Sequence, residues 1–356
     1  MTTRRNPGRA GIKNRRRQII KNHNKIRILI GVFSFVVILT VGCIPENKDN
    51  IKTVKIGLGH GPSHSFTKAF KKFEKKLETR SDSQYNVEIY HSGQLGGENE
   101  MQEMLTIGSL EMTVTGVINT YDPLFSVFEM PYLYRNREHV LKVNNSEIMD
   151  EVAEPLNQYG IKLIGFYENG FRNISNSVRP IHKPKDMEGL MIRTPENSAQ
   201  ILTMKSLGAS PTPMPFSELY TALAQGTVDG QENPLQNIWH GRLYEVQKYI
   251  AMTHHIYNSA YILISNKFWE KLSPKDQELF QECLYETTLW QLDYMKTLDK
   301  ELEEKMKDEG VQFTYPDREA FKKATRSAYE RLYQKLGPKA REIVKEIRNM
   351  KKITEE

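Results

Sequence analysis

Cysteine is nearly absent from this chain, with two in 356 residues, Cys43 and Cys283. A disulfide framework is therefore excluded, and no Cys-x-x-Cys pair exists for redox chemistry or zinc. Long apolar runs are also scarce. The most extended, Ile28 to Val41, has fourteen residues, short of the ~20 that a membrane-spanning helix needs. The Gly-x-Ser-x-Gly nucleophile elbow and the Walker A phosphate loop are both missing. Gly57, Gly59 and Gly61 follow a strand-like run, but Pro62 breaks the dinucleotide fingerprint before its third glycine. The next strand-like segment, VEIYH, does not end in an acid, so no cofactor is expected. His60 and His64 are four apart with Pro62 between them, which spoils the helical spacing of a metal pair. His254 and His255 are adjacent and would face opposite sides of a strand, so no metal is expected either.

Acidic residues are absent from residues 1–42, which carry ten Lys and Arg. The remainder holds 40 basic and 44 acidic residues, so the overall charge of +6 belongs to the leader alone. That distribution removes the support that the overall charge would give to a nucleic-acid partner, and none is expected. A basic stretch followed by a short apolar run has the anatomy of an export signal over 1–42. Leu39-Thr-Val-Gly-Cys43 resembles a bacterial lipobox, in which Cys43 becomes the acylated first residue of a lipoprotein. Leu39 stands one place early and Val41 is bulky, and an uncleaved membrane anchor is the other reading of the same residues. Both readings put the body outside the cytoplasmic membrane. Residues 43–53 are polar and read as a tether.

Within the body, alternation and helical spacing give an α/β pattern. Lys52 to Leu58 and Tyr85 to Tyr90 read as strands, and Phe66, Ala69, Phe70, Phe73 and Leu77 share one helical face between them. A glycine-rich turn leads into a helix with Met101, Met104 and Leu105 inward, and EMTVTGV reads as a third strand. This β-α-β-α-β start predicts an open sheet. Ile161 to Tyr167 and His255 to Ser265 are further strands, and Ser217 is expected to cap a helix. Ser273-Pro274 combines a cap with a proline suited to the first helical position. No proline or glycine follows before Gly310, which predicts a helix of about 35 residues, with Cys283 on its buried stripe. A short strand from Val311 and two helices are expected to finish the chain.

The densest chemistry lies between Phe171 and Pro234. Arg172 and Arg193 each stand beside a short apolar run, and Leu190 and Ile192 share the strand face opposite Met191 and Arg193. Pro195 fixes the backbone after Arg193, and Asn197 and Ser198 offer caps for the next helix. A guanidinium at a strand end beside a helix N-terminus suits a carboxylate, because its fork donates two parallel hydrogen bonds in a positive local potential. Asn233 can both donate and accept. Glu98 can accept from ligand hydroxyls or favour the dipole of its own helix, and His64 and Gln236 are weaker candidates.

Three blocks carry a resemblance: FRNISNS, GLMIRTPEN and PMPFSELYTALAQGTVDGQENP. They resemble the DctP-type solute-binding proteins of TRAP (tripartite ATP-independent periplasmic) transporters, and the likeness extends over roughly Val54 to Glu346. It implies a two-domain α/β clamp of periplasmic-binding-protein type, with the long helix spanning both domains. Domain I would comprise 54–170 with 259–297, and domain II 171–258 with 298–346. It also implies a ligand carboxylate between Arg193 and Arg172, with Asn233 and Glu98 orienting the rest. The partners would be a small organic acid and the ion-driven membrane permease, and the chain would not be an enzyme. The blocks look closer to members that bind sugar acids such as hexuronates than to those that bind C4-dicarboxylates. A C4-dicarboxylate receptor and an extracytoplasmic enzyme of unrecognised type are the alternatives.

Overall fold

The computed structural model describes residues 51–118 and 120–350. The expected export signal, Cys43 and most of the tether lie outside the described residues. The body opens with β1 (Lys52–Gly57), α1 (Ser65–Arg80), β2 (Tyr85–Tyr90), α2 (Glu98–Ile107) and β3 (Met112–Thr115). Strand β1 pairs in parallel with both β2 and β3, as the alternating start of the chain predicts. Helix α1 begins where His64 Nδ1 accepts the Phe66 N–H, and its expected apolar stripe is buried against the sheet. Each of those fully buried phenylalanines contributes about 1.5–3 kcal/mol relative to exposure. Met104 of α2 is only partly buried, unlike Met101 and Leu105.

Helices α3 (Arg137–Asn144) and α4 (Glu147–Ala153) lead into β4 (Ile161–Asn176), followed by β5 (Met191–Thr194), α5 (Ser198–Ser206) and β6 (Ser210–Pro213). Then come α6 (Phe216–Ala224), β7 (Gly230–Asn233), α7 (Leu235–His240), β8 (Tyr249–Ser265) and α8 (Asn266–Trp269). The described residues end with α9 (Pro274–Asp308), β9 (Gln312–Thr314), α10 (Arg318–Ala324), α11 (Arg326–Leu336) and α12 (Pro338–Asn349). Three helices therefore close the body rather than two. Helix α6 starts one residue before Ser217, with Pro215 at the cap position, so Ser217 does not cap it.

The nine strands form one mixed sheet in the order β2-β1-β3-β8-β4-β7-β5-β6, with β9 beside β8. Strands β4 and β8 are longer than their apolar runs suggest, because they continue from one end of the sheet to the other. The Ile161 end of β4 pairs with the Ser265 end of β8, next to β3, and the Asn176 end pairs with Tyr249, next to β7. Register shifts after Leu163, Glu168 and Arg172 bend this antiparallel ribbon, as bulges do. Gly170 occupies the middle shift with φ +123°, a backbone setting that side chains resist. Two cores lie at each end of the sheet region, and α9 packs on α1 along one part and on α7 along another. Ser273 caps α9 by accepting the Asp276 N–H, and Cys283 is fully buried in its stripe. Gly230, in the VDGQENP block, allows β7 to approach β4: a Cβ there would lie 2.2 Å from the Ser175 carbonyl oxygen.

Candidate binding site

A cavity of about 660 Å³ opens between the two ends of the sheet. Strand β5 delivers Arg193 to it. Ile192 is buried on one face, Arg193 is 2 % exposed on the other, and Met191 on that same face is left half in solvent. Nε and Nη2 of Arg193 both donate to the Met214 carbonyl oxygen, at 3.0 and 2.6 Å. No carboxylate among the described residues forms an ion pair with it. Burial, and then the like charge of Arg172, lower its pKa to about 10. Glu232, Glu98 and Glu196 act on it only through space. A guanidinium that is desolvated, anchored and unneutralised is a site for an anion.

Arg172 stands on β4, also 2 % exposed, and it differs in one respect. Its Nε donates to Glu232 Oε2 at 2.5 Å and its Nη2 to Glu232 Oε1 at 2.9 Å, a fork-on-fork pair. Nη2 also reaches the Glu232 carbonyl oxygen at 2.5 Å, whereas Nη1 makes only a 3.5 Å contact with Asn258. His255 Nε2 lies 3.2 Å from the same carboxylate. Burial alone would raise Glu232, but Arg172 and His255 more than offset it and hold the carboxyl below its ordinary range. The two arginines thus bring one unneutralised positive charge to the cavity.

Glu98 opens α2 and also lines the cavity. Its carboxylate accepts from the Thr115 hydroxyl and, at 3.1 Å, from the Gly116 N–H. Burial raises its pKa despite those bonds and the field of Arg193. Asn233, at the end of β7, donates to Gln231 Oε1 at 2.5 Å and accepts from Asn237 Nδ2 at 3.0 Å. Asn197 caps α5 by accepting from Ala199 N at 2.8 Å, so that first-turn amide is already satisfied.

The structure brings Arg193, Arg172, Asn233 and Glu98 to the same cavity and places the other two candidates behind its wall. His64 uses Nδ1 to cap α1, which leaves Nε2–H to donate to Asn237 Oδ1 at 3.1 Å. Burial holds this histidine neutral, well below its usual value. Gln236 is fully engaged, accepting from Ser65 Oγ at 2.7 Å and donating to the Asn169 carbonyl oxygen at 2.8 Å. Sequence reasoning missed Asn169, Gln200 and Asn258, which line the cavity, and the Glu232–His255 pair behind Arg172. A signal for Glu232 was present: in a strand, its side chain must face away from those of Gln231 and Asn233.

A family model described as bacterial extracellular solute-binding protein, family 7 (DctP), matches residues 56–336. The sialic acid-binding periplasmic protein SiaP of Vibrio cholerae is 33 % identical over 288 residues, covering 80 % of this chain and 89 % of that one. A TRAP periplasmic solute-binding protein from Polaromonas, solved bound to D-erythronate, is 32 % identical with a TM-score of 0.80, covering 84 % and 99 % of the two chains. Another from Haemophilus influenzae, with bound L-gulonate, is 31 % identical with a TM-score of 0.78, covering 83 % and 98 %.

Proposed function

Because the chain belongs to the bacterial extracellular solute-binding proteins of family 7, the DctP receptors of TRAP transporters, we propose that it captures a sugar acid, a polyhydroxylated monocarboxylate such as a hexuronate or an aldonate. The charge balance of the cavity carries this reading. Among the described residues, Arg193 is the one buried arginine lining the cavity that forms no ion pair with a carboxylate, since Arg172 is neutralised by Glu232. One free guanidinium matches one carboxylate, and a second carboxylate would meet Glu98 rather than another cation. The neutral amides around it suit hydroxyl groups. Similarity to receptors solved with D-erythronate and L-gulonate supports the same class.

Capture requires the cavity to close, and the register shift at the Gly170–Asn258 pair is a natural bending point. We infer that domain I comprises 54–170 with 259–297, and domain II 171–258 with 298–346, joined by the β4–β8 ribbon and α9. Closure around the ligand excludes water and strengthens each charge-assisted bond. The loaded form then delivers the acid to its permease, and the acid leaves chemically unchanged. Acylated Cys43 would hold the receptor at the outer face of the membrane.

One experiment covers both claims. Mass spectrometry of the full chain, extracted from its own membranes under native conditions, should release an unaltered monocarboxylic acid bearing several hydroxyls. After denaturation, the same sample should show a mass beginning at Cys43 and carrying acyl chains. Release of only succinate, malate or fumarate overturns the sugar-acid reading, and an unmodified Cys43 overturns the anchor.

A further inference from the structure

Three amides in the cavity wall each leave one polar atom without a partner among the described residues: the side-chain oxygens of Gln200 and Asn169, and Asn258 Nδ2, a donor beside these two acceptors. Gln200 is 1 % exposed and Asn169 is 6 % exposed. Gln200 Oε1 and Asn169 Oδ1 make no hydrogen bond among the described residues, although both residues line the cavity. Their nitrogens are committed elsewhere. Asn169 Nδ2 donates to Asn258 Oδ1 at 2.6 Å, and Gln200 Nε2 donates to Glu129 Oε2 at 2.5 Å. An amide is planar, so fixing its nitrogen fixes the direction of its oxygen. Glu129 is 3 % exposed, lies at the end of the turn of helix 123–129, and sits one layer behind the lining residues.

We propose that Glu129 is a positioning residue: it holds the Gln200 amide with its oxygen turned into the cavity, so that this wall accepts hydrogen bonds from ligand hydroxyls. The inference rests on the sugar-acid reading and adds which wall distinguishes a polyol acid from a plain one. Asn169 Oδ1, fixed through Asn258, contributes a second acceptor. A ligand that offers methylene groups here would leave two buried carbonyl oxygens unpaired, and each unpaired group should weaken binding about tenfold.

The surroundings of Glu129 explain how a carboxyl serves without a cation of its own. Burial is the largest influence and raises its pKa; Arg172 of β4 and Asn258 of β8 pull it down, while Glu232 of β7 and Glu98 of α2 push it up. Tyr134 and Tyr261 of β8 also feel its charge. Burial outweighs all of these and lifts Glu129 to about 8, so the group is a neutral acid at pH 7. Above that value it becomes a carboxylate beside a site for anions. Capture of an acid should therefore weaken as pH rises past about 8.

The test compares the wild type with Glu129→Gln, which keeps a neutral acceptor, and Glu129→Leu, which does not. Calorimetry would use D-erythronate, L-gulonate and D-galacturonate as probes. Glu129→Leu should bind the tightest of them about tenfold or more weakly, as expected for one lost hydrogen bond. Glu129→Gln should restore most of that affinity and abolish the loss that sets in near pH 8, leaving only the fall that follows as Arg193 loses its proton near pH 10. A ligand-free measurement accompanies it: the side-chain amide resonances of Gln200, assigned by their disappearance in Gln200→Ala. These should move with a midpoint near pH 8 in the wild type and stay fixed in Glu129→Gln. Probe affinity that is the same in all three proteins overturns the proposal. If no probe binds the wild type, the sugar-acid reading fails, and the resonances alone decide the role of Glu129: a Gln200 amide indifferent to it contradicts that role.

Discussion

Replacing Arg193 by alanine is expected to weaken capture of the acid by roughly two to three decades or more. The basis is the cost of leaving one partner of a buried charge pair alone, on the order of 3–5 kcal/mol. Arg193 meets the conditions for the upper part of that range, being almost fully buried, held by Met214 and in no ion pair with a carboxylate among the described residues. Its pKa of about 10 shows how strongly burial already disfavours the charge, and a bound carboxylate would relieve that penalty. Arg193→Lys should also bind poorly, because one ammonium cannot grip the Met214 carbonyl and fork onto a carboxylate together. Calorimetry checks both variants. Affinity near that of the wild type in each would move the carboxylate to Arg172.

Glu232→Ala should produce the largest loss of stability among the site residues. It leaves Arg172 buried with neither its fork partner nor the charge that holds His255, and breaking such a pair costs about 3–5 kcal/mol. For a body of this size, the melting temperature should fall by on the order of 10 °C. The pH dependence has a definite sign. Glu232 is held below its ordinary value, so its contribution is complete above the unfolded carboxyl pKa of ~4.3 and fades as pH falls through the folded value. The gap between wild type and variant should therefore be widest near neutrality and narrow in acid. A gap of the same size at pH 3 and pH 7 would show that the loss comes from packing rather than charge. Ligand affinity should fall as well, since Arg172 would no longer be held in place.

Much of this architecture was legible because local signals agreed. Helix α9 followed from a serine–proline start and an uninterrupted run free of proline and glycine, and the structure gives it 35 residues. Strand β2 followed from simple alternation. The long ribbon was not legible. Gly165 and Gly170 look like the end of a strand in sequence, yet β4 absorbs both through register shifts and continues to Asn176. Its partner β8 begins at Tyr249, before the polar pair His254–His255, and nothing local announces a partner so distant in sequence. In the site, polar and charged residues at the ends of elements next to turns were visible as motifs: Arg172, Arg193 and Asn233 on strands, and Glu98 at the start of a helix. Gln200, Asn169 and Asn258 were not, because an amide becomes informative only when it is known which of its atoms the fold has used. Glu129 was hidden for the same reason: a buried acid without a cation reads in sequence as a surface glutamate.

The most direct test of the account compares a ligand with its own uncharged twin. The sugar acid that binds the wild type most tightly, and its primary carboxamide, present the same hydroxyls and nearly the same shape, and they differ in the charge that Arg193 is argued to hold. Calorimetry should find the carboxamide bound at least about a hundredfold more weakly, with most of that difference lost in Arg193→Ala. A carboxamide bound within a few-fold of the acid, or a difference that survives in Arg193→Ala, would contradict the account.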